Sequence, residues 1–216
     1  MKENSRRELK VRQQGWVRTV TKKLVATHIT PNQISLSSLG FSALAAGCFY
    51  LFSITLDWYW LILAPIFVQI RLLCNLFDGL VAVEGGKGTP SGELFNDIPD
   101  RFADIMILIA VGYATLLPSG IYWGWIAGVL AILTAYVRTL SACLGAPMSF
   151  VGPMAKQHRM AVVTVSSLLA IVEDMLLNSH YVLYIALVVI ALGSLFTCYR
   201  RARQAYHFLE NNPTGE

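Results

Sequence analysis

The sequence predicts an all-α integral membrane protein, with six transmembrane helices preceded by an amphipathic helix lying in the membrane interface. Three observations lead there. Of 216 residues, 55% are hydrophobic and only 14% charged, and the mean hydropathy is +0.54, far from the balance of a soluble domain of this length. Several apolar stretches reach the roughly 20 residues that a helix needs to cross about 30 Å of hydrocarbon. The basic residues are unevenly placed. Of 17 Lys and Arg, Arg71, Arg101 and Arg138 fall well inside spans, and the other 14 fall in the N-terminal segment, the 84–91 loop, the 147–159 loop and the C-terminal tail together with the last two residues of the sixth span, Arg200 and Arg201. With six spans those four regions lie on one side, and an excess of Lys and Arg marks the cytoplasmic side. The net charge of +4 is therefore a topology signal, and at this hydropathy a nucleic-acid partner is excluded.

Residues 1–33 form a cytoplasmic segment. Its start, "MKENSRRELKVRQQGW", is polar and basic without an apolar core, so no signal peptide is expected. Residues 8–27 interleave Val11, Trp16, Val17, Val20, Leu24 and Val25 with Arg12, Arg18, Lys22 and Lys23, the pattern of a helix resting on the inner leaflet. Thr30 as cap, Pro31 at the first helical position and Gln33 able to close a capping box start the first span. The spans are expected near 34–56, 58–83, 92–116, 120–146, 159–178 and 180–201, making 34–201 a six-helix transmembrane domain and 202–216 a cytoplasmic tail. Cys48, Cys74, Cys143 and Cys198 all fall in spans without CxxC spacing, and read as small buried apolar side chains.

The acidic residues do not suit an oily chain unless they have a task. At about 100° per residue, Arg71, Asn75, Asp78 and Ala82 share one stripe of the second span. Glu93, Asn96, Asp97, Asp100 and Asp104 occupy about a third of the circumference of the third. Charged groups at membrane depth face a bundle interior or a wet cavity and mark a path for substrate or ion. Pairing with Arg71, Arg101 and Lys87 at a helix end is the plainer account. Oxygen ligands from two helices suit a hard cation such as Mg²⁺ or Mn²⁺, which bridges carboxylates to substrate phosphates. Gly79, Ala82 and Gly92 beside them allow close approach of a ligand.

In "NLFDGLVAV" through "GELFNDIPD", Asn75 to Asp100 resembles the signature of the CDP-alcohol phosphotransferases, Asp-x2-Asp-Gly-x2-Ala-Arg-x8-Gly-x3-Asp-x3-Asp. Asp78, Gly79, Ala82, Gly92 and Asp100 match at the required spacing. Asn75, Val83 and Asn96 stand where the signature has Asp, Arg and Asp, a variant similar to a bacterial subgroup with Asn at the same two places. The resemblance implies a transferase of phospholipid synthesis in the bacterial inner membrane, homodimeric, with both termini and its active site cytoplasmic. An acceptor hydroxyl attacks the β-phosphorus of a CDP-lipid such as CDP-diacylglycerol, and CMP leaves. Two divalent cations, Mg²⁺ or Mn²⁺, are implied at Asn75, Asp78, Asn96 and Asp100. Asp78, Gly79, Ala82 and Gly92 would hold the nucleotide, and Asp100 would be the base. The two Asn remove two negative charges and leave carbonyl ligands, so a weaker or single-metal site is expected unless Glu93, Asp97 or Asp104 contributes.

Pro99 precedes Asp100 and, inside a helix, releases the carbonyl of Phe95. In "VGPMAKQHRMA", Lys156 and Arg159 lie three apart at the start of the fifth span. The resemblance places an acceptor-binding basic pair there, with Arg138 as a third member, and so a small, polar, anionic alcohol. The alternative to an enzyme is a non-catalytic relative that binds CDP-lipid or metal, favoured by Asn75, Asn96 and Val83. An ion-coupled transporter is a more distant reading of the same inward-facing acids.

Overall fold

The computed structural model describes residues 14–212, and seven α-helices account for the elements among them. They are α1 (Gly15–Val25), α2 (Pro31–Thr55), α3 (Trp60–Glu84), α4 (Gly92–Ala114), α5 (Gly120–Cys143), α6 (Lys156–Leu177) and α7 (Tyr181–Asn211). Residues 8–13, part of the expected interfacial helix, lie outside the described residues. The remainder is shorter than expected, and α1 ends at Val25.

The start of α2 follows the local chemistry of its sequence. Thr30 Oγ1 accepts from the Gln33 amide at 3.3 Å, Gln33 Oε1 accepts from the Thr30 amide at 3.0 Å, and Pro31 opens the helix. These bonds satisfy donors that an α-helix leaves orphaned at its N-terminus.

The six long helices close into a ring. In packing order it runs α3, α2, α4, α5, α7, α6 and back to α3. Two stripes of small residues permit this. Ser35, Ser38, Ser42 and Ala45, all buried on α2, let two helices sit against one face. On α5, Gly120, Gly124 and Gly128 recur every four residues against α4. A Cβ on Gly124 would come within 2.8 Å of the Leu108 carbonyl oxygen, and one on Gly128 within 2.8 Å of Ile105. Small residues at this spacing let helix backbones approach in membranes, where dispersion and hydrogen bonds replace the hydrophobic drive.

Five of the long helices are long and apolar enough to cross a membrane: α2, α3, α5, α6 and α7. The chain is a multi-pass membrane protein. The expected third span, α4, does not qualify by composition, because Glu93, Asp97, Asp100, Arg101 and Asp104 crowd the part of it up to residue 104. It is nevertheless one member of the ring, packed between α2 and α5. The expected tail from 202 is also helical at its start, since α7 runs on to Asn211.

Successive helices run in opposite directions, so charge collects at one end of the ring. There lie the N-terminal parts of α2, α4 and α6 and the C-terminal parts of α3, α5 and α7. The opposite end carries exposed Trp58, Tyr59, Tyr122, Trp125 and Tyr181, the amphipathic rings that favour a membrane–water boundary. At that end Glu173 caps α7. Its carboxylate accepts from the amides of Tyr181 and Val182 at 2.7 and 2.9 Å and from Ser179 Oγ at 2.7 Å. The cysteines divide: Cys48 and Cys198 are buried, Cys74 is half-buried, and Cys143, at the last turn of α5, is exposed.

At the charged end α1 lies on α3. Val17 is buried with Ile34, Leu76, Phe77, Leu80 and Val81, and the Trp16 ring meets Phe77 edge-on at 6.2 Å. Lys87 does not pair with an acid. Its ammonium donates to the carbonyls of Val25 and Thr27 at 3.0 and 2.6 Å, where the end of α1 presents free acceptors and partial negative charge.

Candidate active site

The charged end contains two cavities that meet at one residue, Asn96. The larger, about 740 Å³, lies between the start of α2, the end of α3 and the start of α4, and is lined by Ser35, Asp78, Gly79, Ala82, Gly92 and Glu93 among others. The smaller, about 220 Å³, lies among α3, α4, α5, α6 and α7. Asn75, Asp100, Arg101, Arg138, Lys156, Arg159 and Arg201 reach its wall.

The larger cavity is shaped by what its walls lack. A Cβ built on Gly79 or Gly86 meets nothing within 4 Å, and Gly86 sits at φ +60°, a conformation that suits glycine. Gly88 and Gly92 complete a wall of backbone. Asp78 lies here at 3% exposure. Its Oδ2 accepts from Ser35 Oγ at 2.5 Å, while Oδ1 is buried and has no well-formed hydrogen bond among the described residues. A buried carboxylate oxygen left in this way carries a desolvation cost unless something positive completes it.

The smaller cavity is built from long charged side chains, each already engaged. Asp100 Oδ1 accepts from Asn75 Nδ2 at 2.7 Å and from Arg71 at 3.3 Å. Its Oδ2 binds the Lys156 ammonium, with Arg101 3.9 Å away. Behind it, fully buried Asp104 joins two arginines: Oδ1 to Arg71 at 2.7 Å and Oδ2 to Arg159 at 2.6 Å. Asp97, on the rim, holds Arg138 at 3.0 Å and Arg101 at 3.3 Å, and the Arg138 guanidinium stands 5.8 Å from the Phe150 ring centre. Arg201 fastens the wall by donating to the carbonyls of Thr134 and Val151 at 2.7 and 3.0 Å.

The residues singled out by sequence thus divide between the two cavities. Asp78, Gly79, Ala82 and Gly92 line the larger. Asn75, Asp100, Arg138, Lys156 and Arg159 line the smaller, and Asn96 lines both. Lys156 and Arg159 differ in kind, because the Lys156 side chain is 23% exposed whereas that of Arg159 is 1% exposed. Asp104, considered above as an extra metal ligand, is enclosed by guanidinium groups instead. Ser35, Phe150 and Arg201 were not anticipated. Ser35 carried a signal in the Ser35, Ser38, Ser42 spacing; Arg201 was hidden within the general excess of basic residues.

Among the described residues no group of three His, Cys, Asp or Glu side chains is arranged to hold a metal ion. The donors present do fit a divalent ion that keeps most of its water. Mg²⁺ is commonly held by one or two carboxylates together with substrate phosphates, and the orphaned Asp78 oxygen with the amide oxygens of Asn75 and Asn96 has that hard-oxygen character.

No family model matches the chain. Over 87% of the chain, the helices superpose on those of Mycobacterium tuberculosis phosphatidylinositol phosphate synthase in complex with manganese and citrate, covering 88% of it with a TM-score of 0.70 at 20% identity. The chain has the fold of that synthase. The same synthase with CDP-DAG bound matches equally, with a TM-score of 0.70 at 19% identity, over 87% of this chain and 92% of that one. By sequence the chain is similar to the inner membrane protein YnbA of Escherichia coli, at 27% identity over 61% of this chain and 63% of that one. It is 31% identical to the bifunctional IPC transferase and DIPP synthase of Rubrobacter xylanophilus, over 68% of this chain. It is 25% identical to the archaetidylinositol phosphate synthase of Pyrococcus horikoshii, over 69% of this chain and 74% of that one. The chain spans less than two thirds of the first two relatives, 63% and 33% of their lengths.

Proposed function

We propose that the chain is a CDP-alcohol phosphotransferase that moves a phosphatidyl-type group from a CDP-lipid, such as CDP-diacylglycerol, to a small anionic alcohol and releases CMP. The observation that carries this reading is the meeting of two unlike cavities at Asn96, one lined by backbone beside Asp78 and one by cations beside Asp100. The names of the synthase with CDP-DAG bound and of the archaetidylinositol phosphate synthase agree with it. In this reading the CDP moiety lies along Gly79, Ala82 and Gly92, on a wall of backbone and small side chains in a cavity that Asp78 and Glu93 also line. The acceptor sits among Arg138, Lys156 and Arg159. Its hydroxyl oxygen bonds to the β-phosphorus as the bond from that phosphorus to the CMP oxygen breaks, and Asp100 takes the hydroxyl proton. To do so Asp100 must loosen one contact. Lys156 is the partner able to swing away, because Arg71 is fully buried and held by Asp104.

The resemblance implies Asp78, Asn75, Asn96 and Asp100 as the residues that would hold Mg²⁺ or Mn²⁺, and of these Asp78 is the carboxylate that no cationic side chain among the described residues pairs with. Such an ion offsets the charge that develops on entering and leaving oxygens in phosphoryl transfer. The enzyme would act as the homodimer that the resemblance implies, in a bacterial inner membrane. Six spans would put both termini and both cavities on the cytoplasmic side, in keeping with Lys and Arg gathered at the charged end.

The competing reading, a relative that binds CDP-lipid without turnover, is favoured by the absence of a three-carboxylate metal cluster among the described residues. Purified protein in nanodiscs with CDP-diacylglycerol separates the two. Metal-dependent CMP release, stimulated by a phosphorylated polyol, is expected. Binding of CDP-diacylglycerol without CMP release under any acceptor would favour the second reading.

A further inference from the structure

We propose that this site holds one divalent cation, on the Asp78 side, and that Arg71 and Lys156 provide at Asp100 the positive charge that a second cation brings in the two-metal pattern. The inference rests on the transferase reading above and concerns how its charge is arranged.

The two retained carboxylates have opposite surroundings. Asp78 forms no ion pair among the described residues. One of its oxygens accepts from a neutral hydroxyl, Ser35, and the other is buried with no well-formed hydrogen bond among the described residues. Asp100 has the reverse condition. Both its oxygens accept from positively polarised donors: Arg71 and the Asn75 amide on Oδ1, Lys156 on Oδ2. Arg101 stands 3.9 Å from Oδ2. A divalent ion at Asp100 would meet three cationic side chains in a site with little water to screen them.

Arg71 cannot easily leave. It is fully buried on α3, and Asp104, one turn beyond Asp100 on α4, holds its guanidinium at 2.7 Å. Asp104 in turn is held by Arg159 at 2.6 Å. The Arg71 charge is therefore a fixed part of the wall, and Asp104 is the residue that positions it.

Asn75 and Asn96 complete the account. A pair of divalent ions about 4 Å apart needs negative ligands between them to offset their repulsion. Amides at these two positions supply none. Asn75 goes further and turns its N–H toward Asp100, which an aspartate there could not do. Two amides in place of carboxylates and two cations bonded to Asp100 are mutually consistent: each lowers the need for, and the affinity for, a second metal.

Manganese EPR on the purified chain in nanodiscs, with saturating CDP, tests this by stoichiometry. One Mn²⁺ per chain with the six-line spectrum of an isolated ion is expected. Two ions, or a spectrum broadened by coupling between neighbouring ions, would overturn the inference, and so would no bound Mn²⁺ at all. The triple variant Asn75→Asp, Asn96→Asp, Lys156→Gln should gain a second, coupled Mn²⁺; a persistent count of one would show that these residues are not what excludes it. If that variant fails a thermal-melt check for folding, the wild-type count and the Asn75→Asp, Asn96→Asp pair decide. CMP release in the same samples keeps the two ideas apart. One Mn²⁺ without CMP release sinks the transferase and leaves the one-metal site standing; two Mn²⁺ with CMP release does the opposite.

Discussion

In the proposed transferase the two cavities at the charged end would bind anions in different ways. The one beside Asp78 is made by omission: glycine and alanine leave backbone exposed, and a single carboxylate oxygen is left for a cation to complete. The one beside Asp100 is made by accumulation, with five basic residues on its wall, Arg101, Arg138, Lys156, Arg159 and Arg201. Such groups are costly at membrane depth unless paired, and acids or carbonyls pair each of them. The difference teaches where tolerance lies. Small additions should harm the first cavity, whereas single deletions should harm the second by leaving a partner charge exposed to an apolar surrounding.

The largest expected effect comes from the first cavity's only buried charge. Asp78→Asn keeps the Ser35 contact but removes the negative charge, so metal affinity and CDP-lipid affinity should fall together and CMP release should be lost, since a metal-binding carboxylate can be indispensable. Isothermal titration with Mn²⁺ and with CDP checks both. Retention of metal affinity would move the ion away from Asp78.

Asp100→Asn comes next. Loss of a general base typically costs about 10²-fold to 10⁴-fold, so transfer should drop by that range while CDP binding is nearly unchanged. Wild-type turnover in this variant would remove Asp100 from the chemistry and break the division of labour between the cavities.

Lys156→Gln and Arg138→Gln should act on the acceptor rather than the donor. A hydrogen bond to a charged group contributes about 1.5–3 kcal/mol, which corresponds to roughly a 10-fold to 100-fold rise in the acceptor KM. The KM for CDP-lipid should move by much less. An unchanged acceptor KM would mean that these two residues serve topology and not recognition.

The smallest effect sharpens the comparison most. Gly79→Ala adds one methyl into open space, so folding should be unaffected and, at an interior helix position, slightly favoured by about 0.5–1 kcal/mol. CDP-lipid binding should nevertheless weaken by a few-fold, read as a raised KM for the donor in detergent micelles. If the donor KM stays put, CDP does not lie along this wall.

Several parts of this arrangement were readable from the chain alone. The capping box at Thr30, Pro31 and Gln33 formed as expected because capping depends on residues three apart. Helical periodicity placed Arg71 and Asp78 on a buried face of α3 and Asp100 and Asp104 on one of α4, whereas Glu93 and Asn96, in the first turns of α4 on the same expected stripe, are exposed because the helix starts at the open end of the ring. Periodicity says nothing of the partner across the ring. Asp104 looked like one more possible metal ligand until Arg71 and Arg159, from two other helices, proved to enclose it. Lys87 looked like a partner for the acids and instead caps α1. The expected third span, α4, is too charged by composition to count as a membrane span and yet belongs to the ring, because composition registers each charge singly while the ring pairs them.

By itself the sequence determined the helical class and the approximate starts of the long helices, since these follow from composition, period and spacing within about one helical turn. Only the tertiary structure decided that α3 and α4 are separated by α2 along the ring, that Asp78 and Asp100 face different cavities, and that cations from α3 and α6 occupy one of them. The reason is distance along the chain. Contacts such as Arg71 with Asp104 or Lys156 with Asp100 join residues 33 and 56 positions apart, and their choice is made by which small faces allow helices to close together, a property of pairs of helices that no single segment contains.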